Sequence, residues 1–223
     1  MKINHLHKWQ VTPEQARAIQ KTISGMVSRS GSVKTPHLIA GVDISCSRFR
    51  DSACAAVVLL DYPGMKLVDF VISEKPIDFP YIPGLLSFRE APLILDACEK
   101  LKYTPDVMFV DGQGIAHPLR IGLASHLGLF LNIPAIGCAK SRLCGEHEII
   151  PDEAGAHVKL KDQEEVIGVV LRTKIHTKPL YVSIGHLINL QSAVNLVMAC
   201  CRGYRLPEPT RLAHQAAGGH LDF

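Results

Sequence analysis

No apolar run in the sequence approaches the ~18 residues of a membrane span. The densest, Ala53 to Leu60, has the length of a strand. The first ten residues, MKINHLHKWQ, contain no apolar segment of the secretory type. There are no internal repeats, low-complexity tracts or linker-like stretches. No pair of cysteines is spaced as Cys-x-x-Cys. The seven cysteines are odd in number, and Cys200 adjoins Cys201, which is awkward for a disulfide framework. They read as reduced thiols in a cytoplasmic protein, or as buried apolar side chains with no further role. Neither charge dominates: 24 Lys and Arg face 21 Asp and Glu. That balance permits a polyanionic partner without implying one. Membrane and fibrous classes are excluded. What remains is an ordinary globular balance, 47% hydrophobic and 20% charged, in 223 residues. This suffices for one domain, residues 1–223, with a sizeable core.

Thr12, Pro13 and Gln15 carry the signature of a capped helix start. Ala16, Ile19, Ile23 and Met26 follow at helical spacing. Residues 31–36 end that pattern. His37–Cys46 alternates as a strand, Ser52–Asp61 reads as a strand buried on both faces, and Met65–Lys75 reads as a third. Their short gaps suit an antiparallel meander. A loop, Pro76 to Gly84, precedes a helix marked by Leu93, Leu95, Ala97, Cys98 and Leu101. Asp106–Gly112 is a compact strand, Leu119–Leu131 a helix and Pro134–Cys138 a fifth strand. Residues 151–164 are polar and read as an exposed excursion. Val166–Arg172 and Leu180–Gly185 pair as a hairpin. Asn189 caps an apolar helix that Arg202 and Gly203 end, and Pro207 and Pro209 open a short terminal one. The order β-β-β-α-β-α-β predicts a mixed α/β sheet flanked by helices.

Two aspartates stand out. Asp43 lies within the apolar strand GVDIS, and Asp111 ends FVDG. A carboxylate in a core is costly without a partner. If the strands are neighbours, the two can form a hard-cation site suited to Mg²⁺. Taken singly, each also reads as a structural Asp accepting backbone N–H bonds. Glu90 stands three residues after Ser87, which fits a metal ligand and a capping box equally well. Pro80-Tyr81-Ile82-Pro83-Gly84 is a stiffened turn that can present Tyr81 and Ile82 as a wedge. The alternative is a tyrosine folded onto the core. Gly112-Gln113-Gly114 permits close approach of backbone to a ligand, or is a plain turn. His117 follows closely. Lys140-Ser141-Arg142 can meet a phosphate, or is a solvated basic loop. Arg211 and His214 share a face of the terminal helix, where a histidine can position a water or do nothing.

Together, GVDIS, PYIPGLLSFRE, DVMFVDGQGIAHP, GLASHLGL, GCAKSRL and RLPEPTRLAH resemble the endonuclease V family, the deoxyinosine 3′-endonucleases. The resemblance runs from about Val11 to Ala216. It implies an RNase H-like fold: a mixed five-stranded sheet flanked by helices, with a C-terminal hairpin and helices added. It implies catalytic carboxylates at Asp43, Glu90 and Asp111, which hold the metal, with Lys140 and His214 in support. The implied wedge spans Pro80 to Pro83, including Ile82, with Tyr81 at its tip. The implied base pocket is lined by Gly84, Leu86, Gly112 and His117, with Gln113 beside them. The implied activity is Mg²⁺-dependent hydrolysis of the second phosphodiester bond 3′ to a deaminated base, with Mn²⁺ able to substitute. It leaves a 5′-phosphate and a 3′-hydroxyl. The implied partner is single- or double-stranded DNA carrying such a base, or inosine-containing RNA as in some relatives. The resemblance implies no membrane partner and a monomeric state.

The chemistry of the residues agrees. Phosphodiester hydrolysis needs an in-line water, charge neutralisation and a stabilised leaving oxygen. Hypoxanthine offers an N1–H donor and an O6 acceptor where adenine offers the reverse. Backbone groups near Gly112 can read that reversal once the base is flipped out. The sequence departs from the family where aromatics are common, at Cys46 or Ser47. It also carries Leu119 and Leu187 where basic residues are common, which would weaken the grip on phosphates. A sugar-kinase-like ATPase shares a similar sheet. Its phosphate hairpin needs glycine where Ser45 stands, and a second half-domain is lacking. A non-catalytic lesion-binding module and an RNase H-type nuclease without lesion preference share the fold as well. The candidate ligands argue against the first, and the wedge and pocket against the second.

Overall fold

The computed structural model describes residues 1–46 and 52–220. Thr12 caps the first helix, α1 (Pro13–Ile23), by accepting from the Gln15 N–H, while Gln15 Oε1 accepts from the Thr12 N–H. This is the reciprocal box that the sequence spacing predicts. Three antiparallel strands follow: β1 (Leu38–Cys46), β2 (Ser52–Asp61) and β3 (Leu67–Pro76). Next, β4 (Val107–Val110) lies parallel to β1, and β5 (Ala135–Ala139) lies parallel to β4. Parallel neighbours need long crossovers. Here α2 (Leu86–Glu99) and α3 (Leu123–Leu131) supply them.

The chain then adds β6 (His157–Asp162), β7 (Glu165–Leu171) and β8 (Leu180–His186), and finally α4 (Leu190–Ala199) and α5 (Glu208–Ala217). All eight strands join one sheet, in the order β3-β2-β1-β4-β5-β8-β7-β6. The five-stranded RNase H-like core is therefore present, and the expected hairpin, β7–β8, continues the same sheet from β5.

Strand alternation sends side chains to both faces. Ala40, Val42, Met108 and Val110 pack with Ile94 of α2 and Leu127 of α3. Phe109, Ile136 and Val182 pack with Val194 and Val197 of α4. This two-sided burial explains the apolar runs in β2, β4 and β5. The terminal helix α5 lies across β1 and β2, with Ala213 and Ala216 against Ala56 and Val58. Its approach is very close. A Cβ built on Gly41 would stand 1.9 Å from the Pro209 carbonyl oxygen, so only glycine fits there.

Four local expectations need correction. Residues 151–164 are not simply an excursion. They contain β6, an edge strand whose exposed His157, Lys159 and Lys161 alternate with the less exposed Val158 and Leu160. Charged residues are the usual protection of an edge strand, and by composition they read as loop. Helix α2 begins at Leu86 rather than near Leu93, and it runs through Pro92. Burial of Phe88 and Ala91 one turn apart favours the earlier start over the proline penalty. Ser87 lies inside that helix and Leu85 is its N-cap with no side-chain bond, so the Ser87–Glu90 capping box does not form. Helix α3 begins at Leu123, not Leu119. No helix among the described residues is long and apolar enough to cross a membrane.

Candidate active site

Because β1 and β4 are neighbours, their carboxylates meet. Asp43 lies late in β1 and Asp111 directly follows β4, where its N–H donates to the Val42 carbonyl. Both side chains are under one-tenth exposed. Helix α5 brings His214 over them, with Nδ1 2.6 Å from Asp43 Oδ2. A carboxylate oxygen accepts here, so Nδ1 carries the hydrogen, and in the neutral ring Nε2 is then the acceptor. Lys140, the residue after β5, forms an ion pair with Asp111, and its Nζ lies 3.4 Å from His214 Nδ1.

Among the described residues, Asp43, Asp111 and His214 have ligand atoms all within 4.8 Å of one another. This group could hold a metal ion. Its third member is His214 rather than Glu90. Glu90, one turn into α2, stands in the same pocket, and its pKa is pushed up to about 7. Burial is the main cause, followed by the charge of Asp43, with Arg89 opposing and Asp111 adding. Asp111 is also raised, first by burial and then by Asp43, against the pull of Lys140. Glu90 and Asp111, raised by burial and by the charge of Asp43, form with it a donor set that a hard divalent cation would relieve.

Next to these acids opens a pocket of about 380 Å³. Gly84, Leu86, Gly112, Gln113 and His117 line it, and Tyr81 and Pro83 stand at its wall. Tyr81 is 70% exposed and points outward. Ile82 does not join it. It is half-buried against the cluster of Ala16, Leu85 and Phe88, so the outward pair of the sequence reading reduces to Tyr81 alone. Gly84 has φ +82°, a conformation that glycine adopts freely. Its carbonyl accepts from Gln20 Nε2 and from His117 Nε2, each at 2.9 Å. His117 Nδ1 accepts from the Leu119 N–H, which fixes Nε2 as the donor. Burial keeps this imidazole below its usual range.

Three contributors escape sequence reasoning. Gln20 is almost wholly buried in α1 yet anchors Gly84. Arg205 donates to the carbonyls of Lys178, Pro179 and Lys140, fixing the loop that carries Lys140. Leu143 extends the pocket wall. Each acts across a long sequence separation, and only the RLPEP motif held a hint of Arg205. Of the departures, Leu119 packs against the core and Ser47 lies outside the described residues.

A mixed sheet with paired carboxylates at the ends of adjacent strands, beside a pocket, defines an RNase H-like nuclease, a hydrolase acting on nucleic acid. The particular lineage is equally clear: the chain belongs to the endonuclease V family, whose model matches residues 21–215. It is 52% identical to Endonuclease V of Dehalococcoides mccartyi over 217 residues, 97% of each chain. The crystal structure of Bacillus subtilis Endonuclease V superposes with a TM-score of 0.93 at 31% identity, covering 98% of this chain and 96% of that one. Endonuclease V of Ciona intestinalis, crystallised with a 24mer DNA containing an inosine followed by a ribo-adenosine, is 27% identical with a TM-score of 0.80. That match covers 93% of this chain and 97% of the other.

Proposed function

We propose that this protein is a DNA repair endonuclease that recognises deaminated bases, deoxyinosine above all. It hydrolyses the second phosphodiester bond 3′ to the lesion and leaves a 5′-phosphate and a 3′-hydroxyl. The observation that carries this reading is the meeting of Asp43, Asp111 and His214 at the rim of a pocket of about 380 Å³, with room for a nucleobase. Asp43 and Asp111 would hold Mg²⁺, or Mn²⁺ in its place, with Glu90 completing the set directly or through water. When bound, the cation supplies Lewis-acid polarisation of the scissile phosphate and eases departure of the 3′-oxygen. His214, oriented by Asp43, presents Nε2 to the attacking water and takes its proton as the new oxygen–phosphorus bond forms. The bond from phosphorus to the 3′-oxygen breaks in the same in-line displacement, and the leaving oxygen takes a proton from solvent to become the 3′-hydroxyl. Lys140 neutralises charge building on the phosphate.

The flipped base enters beside Gly84, Leu86, Gly112, Gln113 and His117. Tyr81 stands exposed where it can fill the gap in the stack. The test uses end-labelled duplexes, with and without one deoxyinosine, incubated with Mg²⁺. The expected result is a single nick, in the inosine strand, one bond past the neighbouring 3′ nucleotide. Tight binding without a nick would replace this reading with a lesion-binding module. Cleavage confined to inosine-containing RNA would make the protein a ribonuclease of the same build.

A further inference from the structure

A run of hydrogen bonds beside the pocket has no part in the cleavage chemistry above. Ser87, the second residue of α2, lines the pocket and is almost fully buried. Its Oγ lies 3.0 Å from His126 Nδ1. His126 Nε2 lies 2.7 Å from His7 Nε2, and His7 Nδ1 lies 2.9 Å from the Lys8 carbonyl. Neither His7 nor His126 lines the pocket.

Geometry and burial together orient the bonds of this chain. A carbonyl only accepts, so His7 Nδ1 carries a hydrogen. Burial favours the neutral form of the His7 imidazole, and in that form its Nε2 is an acceptor. His126 is wholly buried among the rings of Trp9, Phe88 and Phe130, and it too is held neutral. It must donate from Nε2 to His7. Its Nδ1 is then an acceptor, and the Ser87 hydroxyl must donate to it. The one hydrogen of that hydroxyl is committed, and its oxygen has only lone pairs left to offer.

We propose that Ser87 is a specificity-determining residue: with its hydrogen held by His126, its oxygen serves the pocket only as an acceptor and selects bases that present an N–H donor. This rests on the reading of the pocket as a site for deaminated bases. Deamination of adenine turns N1 from a bare acceptor into an N1–H donor. An acceptor-only oxygen bonds the second and meets the first lone pair to lone pair. A hydroxyl free to rotate would accept either base. The polarity that prevents this is set at the Lys8 carbonyl, three bonds away.

The test compares single-turnover cleavage of two duplexes, one carrying hypoxanthine and one carrying unsubstituted purine, whose N1 is a bare acceptor. The wild type should prefer hypoxanthine. Ser87→Ala should narrow that preference by about tenfold, the worth of one hydrogen bond, by slowing the hypoxanthine strand alone. His7→Leu should narrow it from the other side. It frees His126 to change tautomer and lets the Ser87 hydrogen turn inward, so the purine strand should speed up. An unchanged ratio in Ser87→Ala, or equal slowing of both strands, overturns the proposal. A wild type that cuts neither strand would overturn the endonuclease reading itself, and that failure appears before any variant is made.

Discussion

His214 Nδ1 and Asp43 Oδ2 meet at 2.6 Å across 171 residues of sequence, joining the terminal helix to the first strand. The contact aligns the imidazole and leaves its second nitrogen available. Replacing His214 with alanine should therefore lower the single-turnover rate by about 10²–10⁴-fold, the usual worth of a general base. His214→Gln should recover little of that, since an amide cannot take the proton. A His214→Ala rate within twofold of wild type would remove the role.

The three carboxylates should trade stability for activity. Asp43 raises the pKa of both Glu90 and Asp111, so its charge opposes theirs in the folded state. Asp43→Asn should abolish cleavage while leaving the melting temperature equal to or above that of wild type. A clear fall in melting temperature would show that the charge stabilises the fold.

Tyr81 is the exposed tip of the proline-braced turn. Tyr81→Ala should reduce the ratio of inosine to undamaged duplex binding by about tenfold, in keeping with the loss of one stacked aromatic. Its Mg²⁺ dependence should match that of wild type. Equal discrimination in the variant would reject the wedge.

Gly41 tests the coupling of fold to site. An added methyl would collide with the Pro209 backbone. Gly41→Ala should cost at least about 3 kcal/mol, the upper range for overpacking. The variant should also lose activity, because α5 carries His214. Urea melts together with cleavage assays would detect both effects. A variant of normal stability would mean that α5 yields without cost.

The neutral His126 gives a pH signature. Its folded pKa lies well below the unfolded value of about 6.5. The unfolded chain therefore takes up the proton first. Stability from this group is complete above that value and is lost as pH falls through it. Between about pH 7.5 and about pH 5.5, the urea midpoint of wild type should drop further than that of His126→Gln. Parallel curves would refute the assignment.

Much of this was legible in the sequence, for reasons that differ by residue. Asp43 and Asp111 were conspicuous because a carboxylate inside an apolar strand demands a partner. The Tyr81 turn was legible from its prolines. Glu90 was ambiguous because ligand and capping box share one spacing, and the start of α2 at Leu86 settled against the cap. Ile82 misled because its neighbours in the motif face outward while it packs on Phe88. Edge strand β6 looked like loop because protective charge and loop composition coincide. Gln20, Arg205 and the His7–His126–Ser87 chain had no local signature. Their partners lie far along the chain, and only folding brings them together.

Gly84 has a consequence for how damage would be found on the proposed function. Its carbonyl takes hydrogen bonds from Gln20 on one side and His117 on the other, and two prolines stiffen the turn before it. The turn that would meet the double helix is thus braced before any encounter, and its ordering cost would be met during folding rather than on binding. On the proposed function, the searching protein would behave as a fixed stylus, and the nucleic acid would do the bending. A weakly paired lesion would yield to such a tip sooner than a sound base pair, so mechanical softness of the duplex would be sensed before any atom of the base is read.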